Sequence, residues 1–141
     1  MTSILLAGGG TTGHISPMLA IGRELRRQHP DWDVVALGTP DGLEAEIVPR
    51  AGFELLTIDK VPMPRSISPA LLKFPGRFRG NISAVKQIIA SRSIDAVVGV
   101  GGYVCPPAFL AAKQAKIPLI VHEANAKPGM ANRLGARLTT T

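Results

Sequence analysis

The sequence is poor in cysteine and in aromatic residues. Its single cysteine, Cys105, excludes an internal disulfide framework, and we therefore expect a cytoplasmic protein. One Trp, one Tyr and four Phe are too few for the aromatic platform of single-strand nucleic-acid binders, which argues against nucleic acid as a partner. No apolar run approaches the roughly 20 residues that cross a bilayer. The N-terminus also lacks the charged, apolar and small-residue pattern of a secretion leader.

The sequence is rich in core-forming residues and in positive charge. Hydrophobic residues make up 45% of the 141 residues, which is enough for one domain with a buried core. The net charge of +6 favours an anionic partner, such as a phosphorylated substrate or an anionic lipid surface. We expect residue 141 to end one domain rather than a complete functional protein.

Short apolar runs alternate with helical patterns along the chain. The runs predict five strands, at residues 4–7, 33–37, 53–58, 96–100 and 118–121. The helical patterns predict helices from about residue 16, over 42–50, 82–91 and 108–115, and over 129–134. Residues 138–141 resemble the beginning of a sixth strand. This alternation is typical of an α/β fold with a parallel sheet and right-handed crossovers.

The first strand leads into a glycine-rich loop at residues 8–13. Glycines allow a ligand to approach main-chain amides, so the loop predicts a floor for a phosphate or a polar substrate. The loop also fits the spacing of a dinucleotide fingerprint. Two features argue against that interpretation: Ser16 and Pro17 place the helix start too late, and no acidic residue ends the second strand. Asp41 and Glu44 instead suggest a capping box.

Three loops that follow predicted strands carry side chains suited to chemistry. They lie at residues 8–14, 101–107 and 122–125. In an open parallel sheet, ligands bind outside the carboxyl ends of the strands, near the reversal of strand order. We therefore expect these loops to converge on one site.

Each candidate residue in these loops has two interpretations. His14 can act as a base near neutral pH or donate a hydrogen bond, or it can merely cap or pack at the helix start. Tyr103 can present its hydroxyl to a ligand or fill space over the sheet edge. Glu123 and Asn125 can hold hydroxyl groups or orient His14, although Asn125 can also make only a turn. Cys105 is interpreted as a small buried hydrophobe, and no spacing suggests a metal site.

The stretch from residue 64 to 79 combines proline, cations and exposed-looking apolar residues, and we predict that it is irregular. Its apolar members are Ile67, Leu71, Leu72, Phe74 and Phe78, and its cations are Arg65, Lys73, Arg77 and Arg79. This composition suits a segment that lies in a membrane interface with anionic headgroups at its rim. The alternative is that the apolar residues pack under the sheet.

Five motifs in order along the chain resemble the MurG glycosyltransferases of bacterial peptidoglycan synthesis. They are Gly9-Gly10-Thr11-Thr12-Gly13-His14-Ile15-Ser16-Pro17, Gly38-Thr39, Glu44-Ala45-Glu46-Ile47-Val48-Pro49, Gly101-Gly102-Tyr103-Val104 and His122-Glu123-Ala124-Asn125. The chain differs from the family pattern at Thr12, where glycine is usual, at Cys105-Pro106, where Ser-Gly is usual, and at Ala124, where Gln is usual.

The resemblance implies an inverting GT-B enzyme with two Rossmann-like halves, each a parallel sheet with helices on both faces. Residues 1–141 correspond to the N-terminal, acceptor-facing and membrane-facing half, at the cytoplasmic face of the plasma membrane. The implied reaction transfers GlcNAc from UDP-GlcNAc to the C4 hydroxyl of lipid I (undecaprenyl-pyrophosphoryl-MurNAc-pentapeptide), without a cofactor, and yields lipid II.

The family motifs also imply roles for particular residues. His14 and Glu123 take the catalytic positions, and the substrate-binding positions are Thr11, Thr12, Gly13, Tyr103 and Asn125. Two alternatives remain at this point. Instead of the implied transferase, the chain can be a non-catalytic domain that binds lipid or phosphate. It can also be part of a GT-B enzyme that uses another sugar acceptor.

Overall fold

The computed structural model describes residues 1–64 and 66–139. In these ranges, five strands alternate with five helices. The strands are β1 (Ser3–Gly8), β2 (Asp33–Gly38), β3 (Leu55–Thr57), β4 (Ala96–Gly101) and β5 (Leu119–Val121). The helices are α1 (Thr12–Gln28), α2 (Glu44–Arg50), α3 (Pro69–Ser91), α4 (Cys105–Ala115) and α5 (Met130–Leu138). The predicted α/β alternation and all five predicted strands are confirmed.

The described strands form one fully parallel sheet in the order β3-β2-β1-β4-β5. Strand β1 lies at the centre, where Leu5 pairs with Val35 of β2 on one side and with Val97 of β4 on the other. The chain leaves the centre toward β3 and then returns to build β4 and β5 on the opposite side. Strand order therefore reverses between β1 and β4, and this is the place where open α/β sheets bind ligands.

Helices cover both faces of the sheet, as the resemblance implied. Successive strand residues point to opposite faces, so Leu5 and Leu6 of β1 belong to different hydrophobic cores. The Leu5 core packs against residues of α3 and α4, including Val85 and Phe109. The Leu6 core packs against α1 and α2. Because both faces are buried, the central strands are nearly continuous apolar runs.

Helix α1 begins four residues earlier than the predicted cap at Ser16. The Thr11 carbonyl accepts hydrogen bonds from the amides of His14 (3.1 Å) and Ile15 (3.0 Å), and these bonds close a first turn ahead of Pro17. Pro17 lies inside the helix and removes only one N–H from its ladder. The prediction that the helix starts late was therefore wrong, and it no longer argues against the dinucleotide fingerprint. The second argument stands, because β2 ends in Gly38 and no acidic residue closes it.

The stretch predicted to be irregular is a helix from residue 69 onward. Pro69 occupies the first turn of α3, where the fixed φ of proline suits a helix, and the helix continues through Pro75 to Ser91. The predicted start of a sixth strand is wrong at Leu138, which ends α5. It is also wrong at Thr139, which is the C-cap of α5 and donates its amide to the Gly135 carbonyl. Thr140 and Thr141 lie outside the described residues, as does residue 65 of the cation set.

Candidate functional site

The loops that follow β1 and β4 meet at the reversal of strand order, as predicted for two of the three loops. The Gly9 amide donates a hydrogen bond to the Gly101 carbonyl (3.3 Å). Gly102 has a φ of +113°, and a Cβ added there would lie only 2.7 Å from the Gly9 carbonyl oxygen. The two loops therefore touch backbone to backbone, and a side chain at Gly102 would separate them.

The His14 ring lies over the junction of these two loops. Its Nδ1 is 3.0 Å from the Gly9 carbonyl oxygen, and its Nε2 is packed so close to Gly101 that a Cβ there would lie 2.6 Å from it. Because a carbonyl oxygen can only accept, we assign the Nδ1 proton to this hydrogen bond. The neutral ring then carries its lone pair on Nε2, which can accept a proton.

Tyr103 lies at the rim of a cleft beside the first glycine loop. Gly9 and Gly10 line the same cleft, and so does Lys60. The Lys60 Nζ lies 5.3 Å from the Tyr103 ring centroid, within the range of a cation–π contact. Tyr103 is 45% exposed, so its hydroxyl stays a candidate contact for a ligand in the cleft.

The first turn of α1 supplies the other predicted substrate contacts. Thr11, Thr12 and Gly13 are exposed at the helix start. The amides of a first helical turn have no partner within the helix, so they remain available to an anion. Thr12 is the first helical residue, and a side chain is compatible with that conformation although glycine is usual in the family.

Glu123 is committed to its own turn. One carboxylate oxygen accepts hydrogen bonds from the amide (2.8 Å) and the side chain (3.0 Å) of Asn125, and the other from Gly129 (3.2 Å) and Asn132 (3.0 Å). These bonds, led by those from the Asn125 amide and the Asn132 side chain, lower the pKa of Glu123 to about 2. Among the described residues Glu123 makes no hydrogen bond to His14, so the predicted orientation of His14 by Glu123 is not observed.

Asn132 is a buried polar residue that none of the sequence motifs includes. Its side-chain amide donates to the carbonyl of His122 (3.1 Å) and to Glu123, and lies 3.4 Å from the Val100 carbonyl. It thereby ties α5 to the end of β4 and to the turn that carries Glu123 and Asn125. The available signal was an asparagine on the buried side of a strongly amphipathic helix.

Glu44 is the second missed residue, because the predicted capping box is not formed. Leu43 holds the cap position of α2 and makes no side-chain cap bond. The Glu44 carboxylate reaches across to the loops instead, and accepts hydrogen bonds from the amides of Gly10 (3.0 Å) and Thr39 (2.9 Å) and from the Thr39 hydroxyl (2.9 Å). The Gly10 amide is therefore already bonded to Glu44 and cannot bind a phosphate. The predicted phosphate-binding loop is thereby reduced to the amides in the first turn of α1.

Cys105 is fully buried at the start of α4, which confirms its interpretation as a small hydrophobe. Its thiol donates to the Ala7 carbonyl and accepts from the Gly101 amide, and burial raises its pKa to about 12. The prolines that follow it fit the first turn of a helix. In residues 1–64 and 66–139, no cluster of three His, Cys, Asp or Glu residues could hold a metal ion.

The predicted membrane-contact residues fall into two groups. Ile67 (95% exposed) and Leu72 (86%) project fully into solvent, and Leu71 is also exposed. Phe74 and Phe78 are half-buried and stack on each other with ring centroids 5.4 Å apart. The alternative that this set packs under the sheet is therefore wrong for its three aliphatic members.

Comparisons with known proteins agree with this geometry. The model of the glycosyltransferase family 28 N-terminal domain matches residues 4–141. The chain belongs to this family. Named relatives extend the match. A UDP-N-acetylglucosamine--N-acetylmuramyl-(pentapeptide) pyrophosphoryl-undecaprenol N-acetylglucosamine transferase of Leifsonia xyli is 54% identical over 139 residues, which cover 99% of this chain and 39% of the relative.

Two further relatives support the same assignment. The transferase of the same name from Streptomyces coelicolor is 54% identical over 95% of this chain and 37% of its own length. The crystal structure of Acinetobacter baumannii MurG superposes with a TM-score of 0.86 at 28% identity, over 99% of this chain and 40% of that chain. The resemblance to MurG is thereby confirmed, and this chain spans less than half of each of these relatives.

Proposed function

We propose that this chain is the acceptor-binding N-terminal part of a transferase that moves GlcNAc from UDP-GlcNAc to the C4 hydroxyl of lipid I. The donor nucleotide would be held by the part of the transferase that corresponds to the rest of the relatives, of which this chain spans 37–39%. The name of the relatives at 54% identity supports the reaction. The observation that carries the proposal is the His14 ring, whose Nδ1 bonds the Gly9 carbonyl at the ligand-binding edge of the sheet.

The proposed reaction is a direct displacement with inversion. The acceptor C4 oxygen attacks the anomeric carbon of GlcNAc, the bond from that carbon to the UDP oxygen breaks, and Nε2 of His14 takes the hydroxyl proton. As the ring becomes positive, its Nδ1–H bond to the Gly9 carbonyl becomes charge-assisted and therefore stronger. The amides of Thr12 and Gly13, at the positive end of α1, favour the pyrophosphate of the acceptor.

Steady-state turnover tests this function most directly. The full-length protein is incubated with UDP-GlcNAc and a short-chain lipid I analogue, and UDP release is followed with and without the acceptor. We expect release that depends on the acceptor. Release with a different sugar acceptor only would favour another GT-B activity, and lipid or phosphate binding without any release would favour a non-catalytic domain.

The 141-residue chain by itself should fold cooperatively but release no UDP from these substrates. It spans 37–39% of the length of the relatives. An enzyme whose active site lies in a cleft between two domains needs residues from both domains. The chain and the full-length protein are compared in the same UDP-release assay, with a chemical denaturation curve to verify folding. Acceptor-dependent UDP release by the isolated chain would contradict the requirement for a second domain.

We also propose that the start of α3 and the residues before it contact an anionic membrane on the cytoplasmic side. None of the helices in the described part of the chain is both long and apolar enough to span a lipid bilayer. Ile67, which precedes α3, and Leu72 of α3 project into solvent, and the cations Lys73, Arg77 and Arg79 are exposed on α3. Apolar insertion with cations at the rim is the pattern of interfacial helices.

Leu72→Glu is expected to weaken vesicle binding about tenfold or more, because burying a leucine side chain contributes roughly 1.5–3 kcal/mol. Binding should also fall with salt, since each cation near the surface contributes about 1 kcal/mol that is screened beyond a Debye length of about 10 Å. Phe74→Glu should act in the same direction, with some loss from its stack on Phe78. The measurement is co-sedimentation with phosphatidylglycerol-containing vesicles, compared with neutral vesicles.

Met130→Glu is the matched control for this experiment. Met130 is 66% exposed on α5. Its replacement by Glu adds one negative charge to an exposed apolar position, as Leu72→Glu does. It should bind vesicles like the parent. If folded Leu72→Glu also binds like the parent, this segment is not the membrane contact.

A further inference from the structure

We infer that Glu44 is a positioning residue that fixes one peptide unit of the first glycine loop and, through it, the ring of His14. The inference rests on the proposed function only for the role of His14 as a base. The contacts themselves are independent of that role. Glu44 lies at the start of α2, and the loop it holds follows β1, so the connection is made entirely by tertiary structure.

The residues around Glu44 leave enough space for its buried carboxylate. The side chain is 1% exposed, and three glycines make room for it. A Cβ at Gly9 would lie 2.5 Å from the carboxylate, and a Cβ at Gly38 or Gly42 would also overlap the Glu44 side chain. Larger residues at these positions are therefore incompatible with the observed position of Glu44.

The charge of Glu44 is balanced by hydrogen-bond donors rather than by a cation. In the described part of the chain, no Lys, Arg or His forms an ion pair with it. Burial opposes ionisation, but hydrogen bonds from the backbone amides of Gly10 and Thr39, together with the Thr39 hydroxyl, outweigh it and lower the pKa of the carboxyl. Glu44 is thus an anion that bridges the loops after β1 and β2.

The bond from Gly10 determines where the Gly9 carbonyl points. The Gly9 carbonyl and the Gly10 amide are the two ends of one planar trans peptide unit, so they face in opposite directions. Glu44 holds the amide end at 3.0 Å, and the carbonyl end accepts the Nδ1 proton of His14 at 3.0 Å. A carboxylate on the amide also polarises the unit and makes its carbonyl a better acceptor.

This peptide unit needs an external restraint because glycine flanks it on both sides. Gly9 and Gly10 have φ angles of +152° and +85°, and neither has a side chain to limit rotation of the plane between them. Without Glu44 the plane can turn, and His14 then loses the acceptor that fixes its tautomer. Glu44 therefore does for His14, through one peptide unit, what a carboxylate does directly in other catalytic histidine sites.

Glu44→Gln tests the inference in the 141-residue chain without any substrate. The amide keeps the shape of the side chain, but it cannot accept at both ends, so it must lose the Gly10 or the Thr39 contact. We expect the NH₂ group to face Gly10 and repel its N–H. The ¹⁵N shifts of the His14 ring should then change from the Nδ1–H tautomer toward a mixture, and hydrogen exchange of the Gly10 amide should accelerate about tenfold or more.

Glu46→Gln is the matched control, since Glu46 is an exposed residue of the same helix that pairs with Arg50 at 2.8 Å. It should change neither readout. Glu44→Asp replaces the glutamine variant if that one does not fold. The aspartate retains the charge, but its side chain is one methylene shorter and should reach only one of the two loops. We therefore expect the same change in the His14 shifts and in Gly10 exchange as for Glu44→Gln. Unchanged His14 shifts and Gly10 exchange in a folded Glu44 variant would overturn the inference.

A second measurement separates this inference from the proposed function. In the full-length protein, Glu44→Gln should lower kcat about tenfold or more while KM for UDP-GlcNAc stays the same, because an orienting contact acts on the reaction step. A changed His14 tautomer with unchanged kcat would refute the base role of His14 and leave the positioning by Glu44 intact. Unchanged His14 shifts with lowered kcat would refute the positioning.

Discussion

Replacing His14 with alanine in the full-length protein is expected to lower the rate of UDP release by about 10²–10⁴-fold, the usual contribution of a general base. The proton of the acceptor hydroxyl would then have to pass to water. The fold should survive, because within residues 1–64 and 66–139 the half-buried ring makes one side-chain hydrogen bond, to Gly9, whose loss costs about 1 kcal/mol.

His29→Ala is the control for this experiment. His29 lies at the other end of α1, stacked on Trp32 with ring centroids 3.9 Å apart, so the same substitution is made away from the carboxyl edge of the sheet. Its kcat/KM should match that of the parent. A folded His14→Ala protein that loses less than about tenfold, one step of 1.4 kcal/mol, would exclude His14 as the base.

Glu123 is the other predicted catalytic residue, and its surroundings favour a different role. A general base is most effective when its pKa lies near the working pH. Hydrogen bonds within the turn, first those from the Asn125 amide and the Asn132 side chain, hold the pKa of Glu123 near 2. We therefore propose that Glu123 shapes the turn that presents Asn125, and that His14 carries the proton transfer.

The fold was predictable where the signal is local. Each strand is a short apolar run bounded by turn residues, and these runs were located to within two residues. Helix boundaries were less predictable because proline can either begin a helix or lie inside one. Pro17 and Pro75 suggested a helix start and an irregular segment, but each lies inside a helix and removes one hydrogen bond. Packing against the sheet compensates for that loss, and packing cannot be read from neighbouring residues.

The site was predictable only in part, for a related reason. The convergence of the loops after β1 and β4 follows from the rule that parallel strands end at one edge, so His14 and Tyr103 could be placed there from the sequence. The contacts of Glu44 with Gly10 and of Asn132 with the Val100 carbonyl span 34 and 32 residues. No spacing rule predicts them, because they depend on which strands are neighbours.

Gly102→Ala is expected to destabilise the 141-residue chain by about 2–5 kcal/mol, which combines an unfavourable backbone angle with overpacking. The φ of +113° is one that residues with a side chain rarely adopt. The added Cβ would also lie 2.7 Å from the carbonyl oxygen of Gly9 and 3.2 Å from its nitrogen. Both are backbone atoms, so relief requires the two loops to move apart. The free energy of unfolding is measured by urea denaturation.

Gly80→Ala provides the control, because it makes the same chemical change with none of these contacts. Gly80 lies exposed inside α3, and among the described residues a Cβ there would meet no atom within 4 Å beyond the nearby backbone of its own helix. Alanine is the better helix former, so this variant should be as stable as the parent or more stable by up to about 1 kcal/mol. The contrast between the two variants isolates the cost of the loop contact. Surface substitutions typically change the free energy of unfolding by no more than about 0.5 kcal/mol. If the free energy of unfolding of Gly102→Ala lies within that range of the parent value, the loops do not pack backbone to backbone. The ring of His14 would then lose its support from Gly101 as well.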